Sequence, residues 1–230
     1  MSRRNMLVTA LVALIVAGGA AWWFLLRSDA PPPASLDEAV AAVGSGGTGI
    51  GGDGSLDGSW AVDQATSFAG YRIDEELAGI GAATAVGRTS EIDATLEFSG
   101  SSVTAAEITV DLTTLQSDRS QRDNAIRTRG LETQSFPTAA FTLTRSIDLG
   151  SIPAPGSSFT AVAEGDLSLH GVTRPVTLDL EGSRVDDTVV IVGSTEIVLT
   201  DYDIEAPTGF SVLGIADTGL IELQLAFVPA

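Results

Sequence analysis

The sequence predicts a mainly β fold, an antiparallel up-and-down β-barrel of about eight strands with one short helix. Three observations carry that prediction. Beyond Ser59, apolar residues recur with period two in run after run. Short turns rich in Gly, Ser and Asp separate the runs. A single arginine-rich stretch, Asp118 to Arg129, breaks the alternation.

The N-terminus comes first. Met6 to Leu26 is 21 residues without a charged side chain. As a helix rising ~1.5 Å per residue it spans roughly 31 Å, about one hydrocarbon core. Arg3 and Arg4 precede it, and Trp22, Trp23 and Phe24 sit at its far end. Basic residues before the run and an aromatic belt after it place the N-terminus in the cytoplasm and the rest outside. The expectation is a single-pass cell-membrane protein with an extracytoplasmic C-terminal domain. The competing reading is a cleaved signal peptide, with Gly18 to Ala21 as the small residues at the cut; the product would then be secreted. The length of the run and the trailing aromatics favour the uncleaved anchor.

Arg27 to Asp57 holds Pro31-Pro32-Pro33 and a glycine-rich run from Gly44 to Gly54. It reads as a flexible tether of ~30 Å r.m.s. length. Ser35 and Glu38 fit a capping box, which allows a weak helix over Ser35 to Val43. Gly44, Gly46 and Gly49 match G-x-G-x-x-G, but no strand precedes them and no helix follows, so no nucleotide site is expected. The chain divides into an anchor (1–26), a linker (27–57) and a barrel (58–230).

In the barrel, Ile92, Ala94, Leu96 and Phe98 alternate with Asp93, Thr95 and Glu97. Ala106, Ile108, Val110 and Leu112 alternate with Glu107, Thr109 and Asp111. Val176, Leu178 and Leu180 alternate with Thr177 and Asp179, and Ile221, Leu223, Leu225 and Phe227 with Glu222 and Gln224. One apolar and one polar face per run is the pattern of an antiparallel sheet. Strands are expected near 59–63, 67–77, 90–98, 102–112, 138–148, 158–169, 173–183, 187–200 and 218–228. The short helix is expected from an Asp118 cap to Gly130. Short strands at this spacing fit a sandwich or a barrel, and short turns between sequence neighbours favour the up-and-down barrel.

Composition excludes several classes of function. There is no cysteine, hence no disulfide, thiolate site or lipoprotein anchor. From Arg27 onward 10 arginines face 30 acids, a net of −20. That surface repels phosphate backbones, so no nucleic-acid partner is expected. The single histidine, His170, lies in a turn and lacks co-ligands, so it reads as structural. Asp201, Asp203 and Glu205 alternate but lack the glycine and closing glutamate of a calcium loop, and read as an acidic strand end. No nucleophile elbow, zinc-protease motif or Walker A motif occurs. The expectation is a non-enzyme with no metal and no cofactor beyond a bound lipid.

Two segments carry a resemblance. Arg122 to Leu143 contains Arg122-Asp123, Leu131-Glu132-Thr133, Phe136-Pro137 and Phe141. Gly165 to Val176 contains Gly165-Asp166-Leu167, Leu169-His170-Gly171-Val172-Thr173 and Pro175-Val176. With Ser59-Trp60-Ala61-Val62-Asp63, Ser67-Phe68 and Ala85-Val86-Gly87-Arg88, their order resembles the YceI-like family of bacterial lipid-binding proteins over roughly Gly58 to Val228. The chain departs from the family's pattern at Arg88-Thr89 and at Thr200 to Ile204, and Ala206 to Ala216 reads as a loop at the pocket mouth. The resemblance implies a lipocalin-like barrel holding a polyisoprenoid, an isoprenoid quinone or a fatty-acid derivative in an apolar pocket, and it allows a homodimer. Alternation nominates Phe98, Ile108, Phe141, Leu143, Leu167, Leu178, Ile191, Leu223 and Phe227 as pocket-lining. Arg122 and Asp123 are the candidate polar residues at its mouth. The alternative function is a ligand-free extracytoplasmic interaction or stress-protective module with a filled barrel.

Overall fold

The computed structural model describes residues 30–44, 55–207 and 212–230. The candidate anchor Met6–Leu26 and most of the glycine-rich run lie outside these residues. Among the described residues no helix is long and apolar enough to cross a membrane.

The strands are β1 (Gly58–Val62), β2 (Phe68–Leu77), β3 (Gly81–Thr89), β4 (Ile92–Ser99), β5 (Ser102–Asp111), β6 (Gln116–Ser117), β7 (Thr138–Leu143), β8 (Ile147–Asp148), β9 (Ser158–Leu169), β10 (Val172–Val185), β11 (Thr188–Val198), β12 (Val212–Ile215) and β13 (Thr218–Pro229). All pairings are antiparallel. β1, β4, β5, β7, β9, β10, β11 and β13 form a closed circuit, because β13 also pairs with β1. This is the expected eight-stranded barrel. The β2–β3 hairpin departs from a simple meander. It extends the wall from β13 at the other end, and β3 pairs with β6. β3 was not among the expected strands, and the expected strand 138–148 is split into β7 and β8.

The interior has two halves. One is solid. Trp60, Ile92, Leu96, Phe98, Val103, Leu225 and Phe227 are buried in one cluster, with Phe227 wholly sealed. The Trp60 indole N–H donates to the Leu56 carbonyl at 2.8 Å, and its ring meets Phe98 edge-on at 5.9 Å. The other half holds a second cluster that includes Leu112, Leu115, Leu167, Leu169 and Ile197. Many inward positions there are small, such as Ala69, Ala85, Ala139 and Gly219, and they leave room inside.

The two signature segments meet. His170 and Gly171 form the two-residue turn between β9 and β10, with φ of 52° and 78°. Positive φ at both positions is the hairpin geometry that matches strand twist, and it favours glycine at the second. The Phe136 ring lies 4.5 Å from the His170 ring, tilted by 60°, and packs against Gly171 of this turn. His170 Nδ1 pairs with the Tyr202 carbonyl at 3.0 Å. The short helix runs Ser120–Ala125 and continues as a wide turn over Ile126–Gly130. Asp118 does not cap it: the cap position is Arg119, with no side-chain bond, and Asp118 pairs with Arg122 and Arg119 instead. Asp201 to Glu205 is not extended. Leu199–Tyr202 is a tight helical turn that ends at Asp203 with φ of 54°. The expected loop at 206–216 contains β12, which pairs with β2.

The expectation of a continuous tether is also amended. Leu36–Gly44 is helical, and Ser35 Oγ accepts from the Glu38 N–H at 3.4 Å. This helix packs on the outer face of β10, β11 and β13, and Ala39 is completely buried. Val190 and Ala226, which face away from the interior, are 1% exposed beneath it. Before the helix, the Pro31 carbonyl accepts from Arg72 at 2.8 Å and the Pro32 carbonyl from Arg88 at 2.7 Å. Both arginines reach the buried Glu222, Arg88 at 2.7 Å and Arg72 at 3.5 Å, and the Arg88 guanidinium lies 4.1 Å over the Phe68 ring. Residues 31–44 are thus a strap laid over the barrel wall.

Candidate functional site: an apolar cavity with one polar corner

The hollow half of the barrel encloses a cavity of about 280 Å³. That is near the lower end of the roughly 300–1,000 Å³ of small-molecule sites. Its wall takes Ile108 and Val110 from β5, Phe141 from β7, Leu167 and Leu169 from β9, Val176 and Leu178 from β10, Ile197 from β11, and Ile221 and Leu223 from β13. Val212, Ile215, Ala206, Pro207, Gly130 and Leu131 line it as well.

β2 supplies the polar part. Ala69, Tyr71, Ile73, Glu75 and Leu77 share one face of the strand and all line the cavity, joined by Gly70. Glu75 is therefore an acid on the apolar face of its strand, with a side chain 4% exposed. It accepts a hydrogen bond from Arg122 Nη2, and Arg122 Nη1 donates to Asp118. Arg119 also lines the cavity, and it pairs with Asp118 at 3.6 Å. Burial alone would lower the Arg122 pKa. The hydrogen bond and charge of Glu75 and the charge of Asp118 outweigh burial and hold it above its ordinary value. Asp123 accepts from the Ser117 N–H at 2.9 Å and from its hydroxyl at 2.6 Å. Arg122 is thus held between two carboxylates, while the Arg119–Asp118 pair is long and about one-third exposed.

The Tyr71 hydroxyl is sealed from solvent and has no hydrogen-bond partner among the described residues. Burial pushes its pKa upward. Arg122 opposes the shift, and Asp123, Glu75 and Asp118 add to it. Its ring lies across Gly87 on the neighbouring strand, where a Cβ would overlap it. Gly87 is the residue that lets an aromatic lie flat against that wall.

The candidate residues divide by height in the barrel. Ile108, Phe141, Leu167, Leu178 and Leu223 line the cavity. Phe98, Leu143, Ile191 and Phe227 do not: they belong to the solid half or pack against it. Arg122 lines the cavity, and Asp123 turns away to brace Ser117. Tyr71 and Glu75 were missed. The readable signal was the acid in the apolar phase of β2. Among the described residues no group of acids and histidines is placed to hold a metal.

The family follows from a direct match. The model of the YceI-like domain covers residues 60–227. The chain belongs to the YceI-like family. Curated relatives include a UPF0312 protein of Shewanella denitrificans, 31% identical over 153 residues, covering 63% of this chain and 76% of the relative. Another, from Vibrio parahaemolyticus, is 28% identical over 148 residues, covering 60% and 75%. Among solved structures, the fold is similar to a polyisoprenoid-binding domain of Saccharophagus degradans implicated in plant cell wall breakdown, with a TM-score of 0.62 at 19% identity over 74% of this chain and 98% of that one. It is also similar to BcnA of Burkholderia cenocepacia, with a TM-score of 0.56 at 16% identity over 72% and 98%. At these identities the likeness speaks for the barrel fold of the YceI-like chain, not for its ligand.

Proposed function

We propose that this YceI-like protein binds a long-chain amphiphilic lipid inside its barrel and sequesters or carries it, without catalysis. The proposed lipid is a polyisoprenoid, an isoprenoid quinone or a fatty-acid derivative. The observation that supports this most is the cavity itself, whose wall is mostly apolar and whose few charged residues, Glu75, Arg119 and Arg122, each sit in an ion pair. Such a wall offers an alkyl or isoprenoid chain burial worth about 25 cal/mol per Å² of apolar surface and asks for no counter-charge. The polyisoprenoid-binding domain that shares the fold points the same way. The proposal extends to place: Met6–Leu26 holds the chain to the cytoplasmic membrane, and the barrel works outside it, beside the bilayer that stores such lipids.

Native mass spectrometry of the protein purified from its own host tests the reading. A co-purifying lipid with a long hydrocarbon chain is expected, and Ala139→Trp, which fills the cavity from its wall, should expel it. Absence of any extractable lipid from a folded barrel would refute carriage and leave the ligand-free interaction module.

A further inference from the structure

Two apolar side chains stand uncovered where the cavity ends. We propose that Ile80 and Leu213 form a docking rim that sets the hollow end of the barrel into the surface of the bilayer holding the chain. The inference rests on the membrane placement proposed above and deepens it.

The rim is built by neighbouring segments. β2 ends at Leu77, and the Ile80 N–H donates back to the Leu77 carbonyl at 3.1 Å. Gly79 and Gly81, with φ of 77° and 94°, make the turn that holds Ile80 at its tip. β12 runs beside this end of β2: Val212 pairs with Leu77, and the register breaks between Val212 and Gly214. Leu213 lies at that break and is 61% exposed, while Ile80 is 36% exposed. Leu77 and Val212 both line the cavity, so the rim adjoins its wall.

Charge decides how such a rim meets a surface. Leu77 to Gly87 and Val212 to Ala216 carry no charged side chain, in a chain with 30 acids. Asp74 and Glu76 are exposed and stand behind the tip on β2. They keep the barrel from lying flat on a bilayer and leave the uncharged tip as the part that enters. Entry to the boundary between head groups and acyl chains withdraws Ile80 and Leu213 from water and buries no charge. Two copies meeting rim to rim would instead bring together two barrels with 30 acids against 10 arginines each, from Arg27 onward.

Reach points to the same occupant. The proposed anchor ends at Leu26, and the Pro31 carbonyl is held by Arg72 of β2. The chain between them extends at most about 18 Å. Arg72 and Leu77 lie on one strand, about 17 Å apart at ~3.3 Å per residue. Turning the hollow end toward the bilayer therefore brings Ile80 to its surface with the anchor in place. Ile152 and Val162 are comparably exposed, but Ile152 follows Leu149 and Val162 adjoins Ala163, which pack in the solid half. A contact there would serve no cavity.

Fluorescence quenching tests this with the full chain in phosphatidylcholine nanodiscs. The chain has no cysteine, so Ile80→Cys, Leu213→Cys, Ile152→Cys and Val162→Cys each take one environment-sensitive fluorophore. Phosphatidylcholine with a nitroxide high on its acyl chain is the quencher. Emission from the Ile80 and Leu213 positions should shift to the blue and be quenched, while emission from the Ile152 and Val162 positions should not change. All four side chains are exposed, so melting should stay near that of the wild type. Adding Leu213→Asp should weaken docking reported from the Ile80 position by about tenfold, since it removes one of the two apolar contacts and adds a charge. Quenching no greater at the Ile80 and Leu213 positions than at the other two, in chains that stay with the discs, would overturn the docking and leave the anchor standing. Chains that leave the discs would overturn both. A blue shift without quenching would mean that a second copy or another protein covers the rim, and would overturn the docking as well. None of these readouts uses the lipid inside the barrel, so carriage stands or falls separately, by the co-purifying lipid.

Discussion

Replacing Arg122 by methionine removes the cation from between Glu75 and Asp118. The two losses differ in size. Asp118 has a side chain 33% exposed, so water can take over its solvation, and such a half-wet pair is worth about 0–1 kcal/mol. Glu75 has a side chain 4% exposed and faces the cavity, so it is left as a buried carboxylate without a counter-ion. Breaking a buried pair from one side lowers stability by about 3–5 kcal/mol. For a domain of this size that corresponds to a melting temperature about 6–20 °C lower, at roughly 2–4 °C per kcal/mol. The paired change Glu75→Met with Arg122→Met removes both charges and should recover most of the loss, because an apolar pair of similar volume is often neutral or better by about 1–4 kcal/mol. Urea unfolding of the wild type, both single variants and the double variant gives the coupling energy directly. If Arg122→Met unfolds within about 1 kcal/mol of the wild type, or the double variant is no more stable than the single, the reading of Arg122 and Glu75 as a buried ion pair is wrong.

Other outcomes follow from the same geometry. Phe227→Ala, in the solid half, should lower stability by about 3–5 kcal/mol, while Ile197→Ala, beside existing free volume, should sit at the low end of about 2–5 kcal/mol; equal losses in chemical unfolding would deny the two-halves description. Ala39→Glu should undock the strap and lower stability by about 1–3 kcal/mol, with faster amide exchange in β11 and β13, and an unchanged melting curve would refute docking. Burial raises both tyrosines, Tyr71 and Tyr202, above their ordinary value of 10.0. Their folded forms keep a proton that the unfolded chain gives up, so the stability they contribute is fully present below pH ~10 and is lost as pH rises through the folded values. Tyr71→Phe should flatten that alkaline decline; a wild-type curve no steeper than the variant's above pH ~10 would contradict the burial of the Tyr71 hydroxyl.

Most of the barrel was legible because most of its strands obey alternation. β3 was not, and the reason is physical. Its Ala85 is small where the cavity needs room and its Gly87 where the Tyr71 ring lies, and smallness erases the apolar signal that marks a strand. Alternation also tells which way a side chain points but nothing of how high it stands. Phe227 and Leu223 share a phase, yet one is packed solid and the other faces the cavity. Glu75 was visible as an acid in the wrong phase of β2. The strap left a trace as well. Val189, Val190, Ile191 and Val192 are apolar on both faces of β11, the pattern of a strand covered on both sides. Ser35 and Glu38 marked the covering helix, but nothing local said where it would lie.

The strap changes the geometry of reach. A free tether from Arg27 to Asp57 would let the barrel roam over ~30 Å. With Pro31 held at Arg72, only the steps from Leu26 to Pro31 remain to pay out, at most about 18 Å of extended chain. With Met6–Leu26 in a bilayer, as proposed, the barrel is moored rather than tethered. It would patrol by drifting sideways with its anchor, meeting lipids by two-dimensional search, and would have little slack with which to ferry one across to a distant membrane.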